Sequence, residues 1–198
     1  MKLLLATHNK NKLSEIRAIF KIPGLEIVAA DDIEGLPEVE EDAETFEGNA
    51  LKKARTLCVA SGLWTMADDS GLQVDALHGE PGVYSARYAG EHANDGRNNA
   101  KLLKNLEGIV DRSARFRCAL ALVAPDGREW TVSGRCEGTI ALDIMGPRTF
   151  GYDPVFIPEG HDQSFSQMSH EAKNAISHRG RALAKAAVEW GDLLSGRG

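Results

Sequence analysis

Cysteine is scarce in this chain: Cys58, Cys118 and Cys136 are the only three among 198 residues. Their odd number, wide spacing and lack of any C-x-x-C pair disfavour a disulfide framework and a structural zinc site, and point to a reducing, cytoplasmic setting. Long apolar runs are missing too, so no membrane-spanning helix is expected. The opening Met1-Lys2-Leu3-Leu4-Leu5 is soon interrupted by His8-Asn9-Lys10, and it reads as a first strand rather than a secretion signal. Basic charge is also in short supply. With 23 Lys and Arg against 29 Asp and Glu, the net charge of −6 argues against a broad electrostatic footprint for nucleic acid or an anionic membrane. There is no internal repeat, low-complexity tract or linker. What is present is 42% hydrophobic and 26% charged residues, enough for one large domain or two small lobes around a real core.

Periodicity supplies the elements. Residues 2–6 read as a buried strand, 12–20 as a helix with Leu13, Ile16 and Phe20 on one face, and 25–29 as a second strand. The acidic stretch 31–42, with Pro37, is a loop. Phe46, Ala50, Ala54 and Leu57 line one face of a helix over 44–61, with Gly62 as its C-terminal cap. A strand ending at Ala67 leads into Ala67-Asp68-Asp69-Ser70-Gly71, read as a turn, and Leu72-Gln73-Val74 forms another short strand. Residues 79–90 are a structured loop and 94–106 a helix. The clearest β signal is a long hairpin, 115–124 and 129–140, joined by Pro125-Asp126-Gly127-Arg128. After a loop at 146–151 comes a strand at 155–157. Ser177 is placed to cap a last helix whose inner face is Leu183, Ala186, Ala187, Trp190 and Leu194. This mixture indicates an α/β domain with a mixed, strongly twisted sheet.

Four stretches carry possible chemistry. The loop Thr7-His8-Asn9-Lys10-Asn11-Lys12 lies between a strand and a helix, where backbone N–H groups and two lysines suit a phosphate. It lacks both the P-loop and the dinucleotide-fold glycine patterns, and most short polar loops of this kind bind nothing. Acidic residues cluster in two places, Glu38, Glu40, Glu41 and Asp42 in one and Asp68-Asp69 in the other. Magnesium typically takes one or two protein carboxylates together with waters and substrate phosphates. Glu38 and Asp42 read as solvated loop charges, whereas Asp69 reads as functional. Successive strand residues point to opposite sides, so Asp68 and Asp69 need not share a site. In Phe150-Gly151-Tyr152-Asp153, a flat ring suits stacking on a base, the glycine permits close backbone approach, and Asp153 can orient a polar edge; a plain turn opening a strand explains the same residues. Lastly, His178 and Arg179 follow Ser177 in the first turn of the last helix, where the helix dipole disfavours cations, and Lys173 is close by in sequence.

In combination these stretches resemble the inosine triphosphate pyrophosphatase family, which hydrolyses aberrant purine nucleoside triphosphates. The resemblance runs through Thr7-x-Asn9-x-x-Lys12, Glu40-Glu41, Thr45-Phe46-x-x-Asn49-Ala50 and Ala67-Asp68-Asp69-Ser70-Gly71-Leu72. It continues in Gly82-Val83-Tyr84-Ser85-Ala86-Arg87-Tyr88, Phe150-Gly151-Tyr152-Asp153-Pro154 and Ser177-His178-Arg179-Gly180. It implies a single domain over 1–198: an elongated mixed sheet flanked by helices, in two lobes with a central cleft. It also implies a magnesium-dependent homodimer. By this resemblance Thr7, His8, Asn9, Lys10, Asn11, Lys12 and Lys173 hold the phosphates, and Glu40 or Glu41 holds the metal with Asp69. Asp69 also accepts the proton of the attacking water, Lys12 and Lys173 stabilise the charge that develops on the departing pyrophosphate, and Ser70, Phe150, Gly151, Tyr152, Asp153, His178 and Arg179 frame the nucleoside. The chain departs from the family pattern at His8, where glycine is frequent, and at Arg148-Thr149, where a glycine pair is frequent.

Overall fold

A computed structural model describes residues 1–90, 94–147 and 149–196. Arg148, one of the two departures noted above, lies outside the described residues. Six strands form one sheet, and five α-helices lie among the described residues. In chain order they are β1 (Lys2–Leu5), α1 (Lys10–Ile19), β2 (Glu26–Ala29), α2 (Phe46–Ser61), β3 (Trp64–Val74), α3 (Asp95–Asn105), β4 (Ser113–Val123), β5 (Glu129–Ile140), β6 (Phe156–Pro158), α4 (His170–Ile176) and α5 (His178–Leu194). The sheet order is β2-β1-β3-β4-β5-β6. β1 is parallel to both β2 and β3, as strand–helix–strand crossovers require, while β5 and β6 are antiparallel. The expected α/β class with a mixed sheet is therefore what the chain forms.

Most expected elements are present within a residue or two. The exception at the centre is Ala67-Asp68-Asp69-Ser70-Gly71, which is not a turn: β3 runs unbroken through it from Trp64 to Val74. A strand can carry two buried carboxylates only if cations meet them, and here Lys12, Lys53 and Arg179 do so. The short helix α4, capped by the Ser169 side chain on the Ala172 N–H, is an element the periodicity did not indicate. Residues 82–87 of the expected loop form a 3-10 helix.

The chain divides into two compact units, and β3, β4 and β5 contribute residues to both. Unit 1 comprises 1–69, 118–134 and 179–198. Its core sets Leu3 and Leu5 of β1, Ile16 and Phe20 of α1 and Leu120 and Leu122 of β4 against Leu183, Ala186 and Trp190 of α5. Unit 2 comprises 70–117 and 135–178, and is built around Leu72, Leu102, Phe116, Tyr152, Phe156 and Phe165. Phe116 meets Phe156 edge-on at 4.7 Å and stacks on the His178 ring at 4.6 Å. β5 and β6 approach so closely that a Cβ on Gly138 would lie 2.2 Å from the Ile157 carbonyl oxygen, so only glycine fits there. All three cysteines are buried, and none is in a disulfide. No helix among the described residues is long and apolar enough to cross a membrane.

Candidate active site

In unit 1 the loop after β1 is organised by its own side chains. Asn9 caps α1, its Oδ1 accepting from the N–H groups of Asn11 (3.0 Å) and Lys12 (3.2 Å), and its own N–H donates to Thr7 Oγ1. The cap thus occupies two of the N–H groups that the sequence offered to a phosphate. His8 pairs with Asp31, and Lys10 and Asn11 are exposed. Lys12 points inward, its Nζ 3.1 Å from Asp68 Oδ1.

Asp68 is fully enclosed and faces two cations. Arg179 donates to its Oδ2 through Nε and Nη2, each at 3.2 Å, and through Nη1 to Glu15, one turn after Lys12 on α1. Lys12, Asp68, Arg179 and Glu15 alternate in sign and sum to zero. Burial by itself would raise the Asp68 carboxyl, but the charges of Lys12, Arg179 and Lys53 outweigh it and hold the group well below the usual carboxylate range. Arg179 is opposed by burial too, and Asp68 and Glu15 hold it firmly charged. These two carboxylates resolve the conflict of an arginine in the first turn of α5.

Asp69, the next residue along β3, has different neighbours. Asn49 Nδ2 donates to its Oδ2 at 3.1 Å, while Asn49 Oδ1 accepts from the Ala43 N–H at 2.9 Å, which fixes the orientation of the amide. Lys53, one turn further along α2, reaches Glu41 Oε1 at 2.9 Å, the Asp68 carbonyl at 2.7 Å and Asp69 Oδ1 at 4.0 Å. Burial is the strongest influence on Asp69; Lys53 and Lys12 pull it down and Glu41 pushes it up, leaving its carboxyl at about 6. Glu40 is exposed, so of the two candidate glutamates it is Glu41 that shares a lysine with Asp69. Among the described residues no three His, Cys, Asp or Glu side chains gather as a metal cage. Glu41, Asp69 and Lys53 together carry one net negative charge when Asp69 is ionised. Two oxygen donors with a residual negative charge fit a hard divalent ion that completes its shell with water and phosphate.

In unit 2, Gly151 turns the chain with φ +60°, and Phe150 is half-buried while Tyr152 and Asp153 are buried. Lys173 of α4 donates to Asp153 Oδ2 at 2.6 Å and lies 5.8 Å from the Phe165 ring centroid. The Tyr152 hydroxyl donates to the Ser85 carbonyl at 2.8 Å. Ser70, half-buried, begins this unit.

Lys12, Glu41, Asp69 and Arg179 thus belong to one charged cluster in unit 1, and Phe150–Asp153, Lys173 and His178 to unit 2. Lys53 and Asn49 were missed as chemistry. Their signal was there: both fall on the stripe of Phe46, Ala50, Ala54 and Leu57, and a lysine on a buried face needs a partner.

The Ham1 family model matches residues 3–189. A dITP/XTP pyrophosphatase of Desulforamulus reducens is 50% identical over 188 residues, covering 94% of this chain and 94% of its own. One from Geobacter sulfurreducens is 51% identical over 185 residues, covering 92% and 93%. The solved Ham1 protein of Staphylococcus aureus shares the fold with a TM-score of 0.86 over 100% of both chains, at 37% identity. A match running this nearly from end to end, at half identity, bears out the resemblance drawn from the motifs: this chain belongs to the Ham1 family.

Proposed function

We infer that the protein hydrolyses non-standard purine nucleoside triphosphates (ITP, dITP and XTP) to the monophosphate and pyrophosphate, as the names of its relatives support. The observation that carries the chemistry is the pair of carboxylates around Lys53, with Asp69 at about 6. A base with that value is ionised at neutral pH and still able to take a proton, so Asp69 removes the proton of the water that attacks the α-phosphorus. Glu41 and Asp69 are the residues that hold magnesium. When bound, magnesium supplies the charge neutralisation that lets a polyanion come close to carboxylates. Lys12 and Lys53 face the phosphates and stabilise charge as it moves onto pyrophosphate. Asn49 keeps Asp69 in place, and Arg179 acts through Asp68, which fixes the position of Lys12.

Residues 150–153 and His178 frame the nucleoside. Phe150 offers the stacking face, and a donor aimed at C6 of the purine is satisfied by the oxygen of hypoxanthine or xanthine and left unpaired by the amino group of adenine. Lys173 stiffens this loop through Asp153. A homodimer and a cytoplasmic setting belong to the same reading; three buried cysteines outside any disulfide suit a reducing compartment.

The test is a panel of nucleoside triphosphates with and without magnesium, resolved for pyrophosphate and orthophosphate. Magnesium-dependent pyrophosphate release from ITP and XTP, far above ATP, is expected. Orthophosphate as the first product places cleavage at the terminal bond and overturns the reading.

A further inference from the structure

Gly151 is gripped at both of its backbone polar groups by one helix. Its N–H donates to Asp95 Oδ2 at 2.8 Å, and its carbonyl accepts from Asn99 Nδ2 at 2.9 Å. Asp95 and Asn99 are four residues apart on α3 and therefore share a face. The helix is itself tied down nearby. Asn94 caps it on the Arg97 N–H at 2.9 Å, and Asn98 accepts from the Ala89 N–H at 2.8 Å and donates to the Ala86 carbonyl at 3.1 Å. Capping is done by Asn94, so helix formation alone does not account for the Asp95 contact with a loop 56 residues away.

Asn99 is the more telling of the two. It is 4% exposed, and its Oδ1 has no hydrogen-bond partner among the described residues. A buried acceptor left unmet lowers stability, and an apolar side chain of similar size would avoid that penalty. What the amide provides in return is the single bond from Nδ2 to Gly151.

We propose that Asp95 and Asn99 are specificity-determining positioning residues: together they fix the Gly151 peptide groups, and through them the loop that presents Phe150 and Asp153 to the purine. This rests on the reading that residues 150–153 frame the nucleoside. A polar site rejects the wrong base only when its groups cannot shift to accommodate it. Freeing Gly151 lets the loop adjust, so adenine is penalised less and inosine is held less well. Phosphate cleavage, which belongs to the unit 1 residues, continues at the same rate once substrate is bound.

The experiment measures kcat and KM for ITP and ATP with magnesium, alongside thermal melting, in full-length variants. Asp95→Ala and Asn99→Leu are expected to lower the ITP/ATP ratio of kcat/KM about tenfold, the size of one lost charge-assisted or buried hydrogen bond. The change falls on KM, with kcat for ITP within about twofold of the parent. Asn99→Leu melts at or above the parent temperature, an outcome that separates positioning from stability. Asp95→Asn, whose amide oxygen can still accept, restores most of the discrimination. Asn94→Ala, which weakens the cap without touching Gly151, lowers the melting temperature and leaves the ratio alone. The proposal is overturned if Asn94→Ala lowers the ratio as much as Asp95→Ala does, or if both clamp variants keep the parental ratio while Phe150→Ala raises KM for both nucleotides. If Phe150→Ala leaves KM for both nucleotides unchanged, the assignment of the loop to the base is what fails, and the clamp's role in specificity falls with it.

Discussion

Unit 1 and unit 2 solve opposite problems. Around Asp68 and Asp69, unit 1 buries a network of charges and answers each with another, whereas unit 2 shapes the 150–153 loop chiefly with rings and bonds to backbone groups, beside the ion pair of Lys173 with Asp153. Charge suits a task defined by the triphosphate, which is common to every nucleotide. Shape and directional bonds suit a task defined by the base, which is not. The division predicts that variants in the two units are distinguishable by what they change: rate for all substrates in one, preference among substrates in the other.

Asp69→Asn tests that division most sharply. Loss of the proposed proton acceptor lowers kcat by roughly a thousandfold, within the range for general-base removal, and by the same factor for ITP, dITP and XTP. Steady-state kinetics on the three substrates check it, and a selective loss would erase the contrast. Next in size is the stability difference between neighbouring residues. Asp68→Asn leaves Lys12 and Arg179 without their shared carboxylate, and breaking a buried pair costs about 3–5 kcal/mol. Asp69→Asn removes a carboxylate that burial and Glu41 already oppose, so without magnesium it is neutral or stabilising. Urea denaturation of both variants decides this, and equal losses would refute it. Phe150→Ala comes third: removing the proposed stacking face weakens binding by about 1–3 kcal/mol, read as a rise in KM with kcat nearly unchanged.

The smallest effect is a dependence on pH. Asp69 has a folded value of about 6, above its ordinary 3.8. Its contribution to stability is therefore full below 3.8 and lost as pH rises through about 6. Asp68 has the reverse sign: its value is depressed, so its contribution is present above 3.8 and lost as pH falls further. Bound as proposed, magnesium favours the ionised form of Asp69 and raises the melting temperature by several degrees at pH 7.5 but little at pH 5. Equal stabilisation at the two pH values would disconnect Asp69 from the ion.

Much of this arrangement was legible in the sequence, for identifiable reasons. The stripe of α2, the inner face of α5 and the turn chemistry at 125–128 each rest on local patterns, which a sequence displays directly. Asp68-Asp69-Ser70-Gly71 misled because its composition is that of a turn. Of the two cations that keep Asp68 in a strand, Arg179 is 111 residues away. α4 escaped notice because seven residues are too few to show a period. The motif residues named the ingredients of the site, but the sharing of Lys53 between Glu41 and Asp69 and the grip of α3 on Gly151 are tertiary facts that no spacing encodes.

The continuity of β3 has a bearing on engineering. Because neighbouring side chains along it alternate in direction, deleting one residue upstream of Asp68 while keeping the pairing would set Asp69 where Asp68 stands and Asp68 where Ala67 stands, each on the opposite face of the sheet. Composition would barely change, yet the Asp69 carboxylate would meet Lys12 and Arg179, and the Asp68 carboxylate would leave them. Along this strand, the residue count up to each aspartate matters as much as the aspartates themselves.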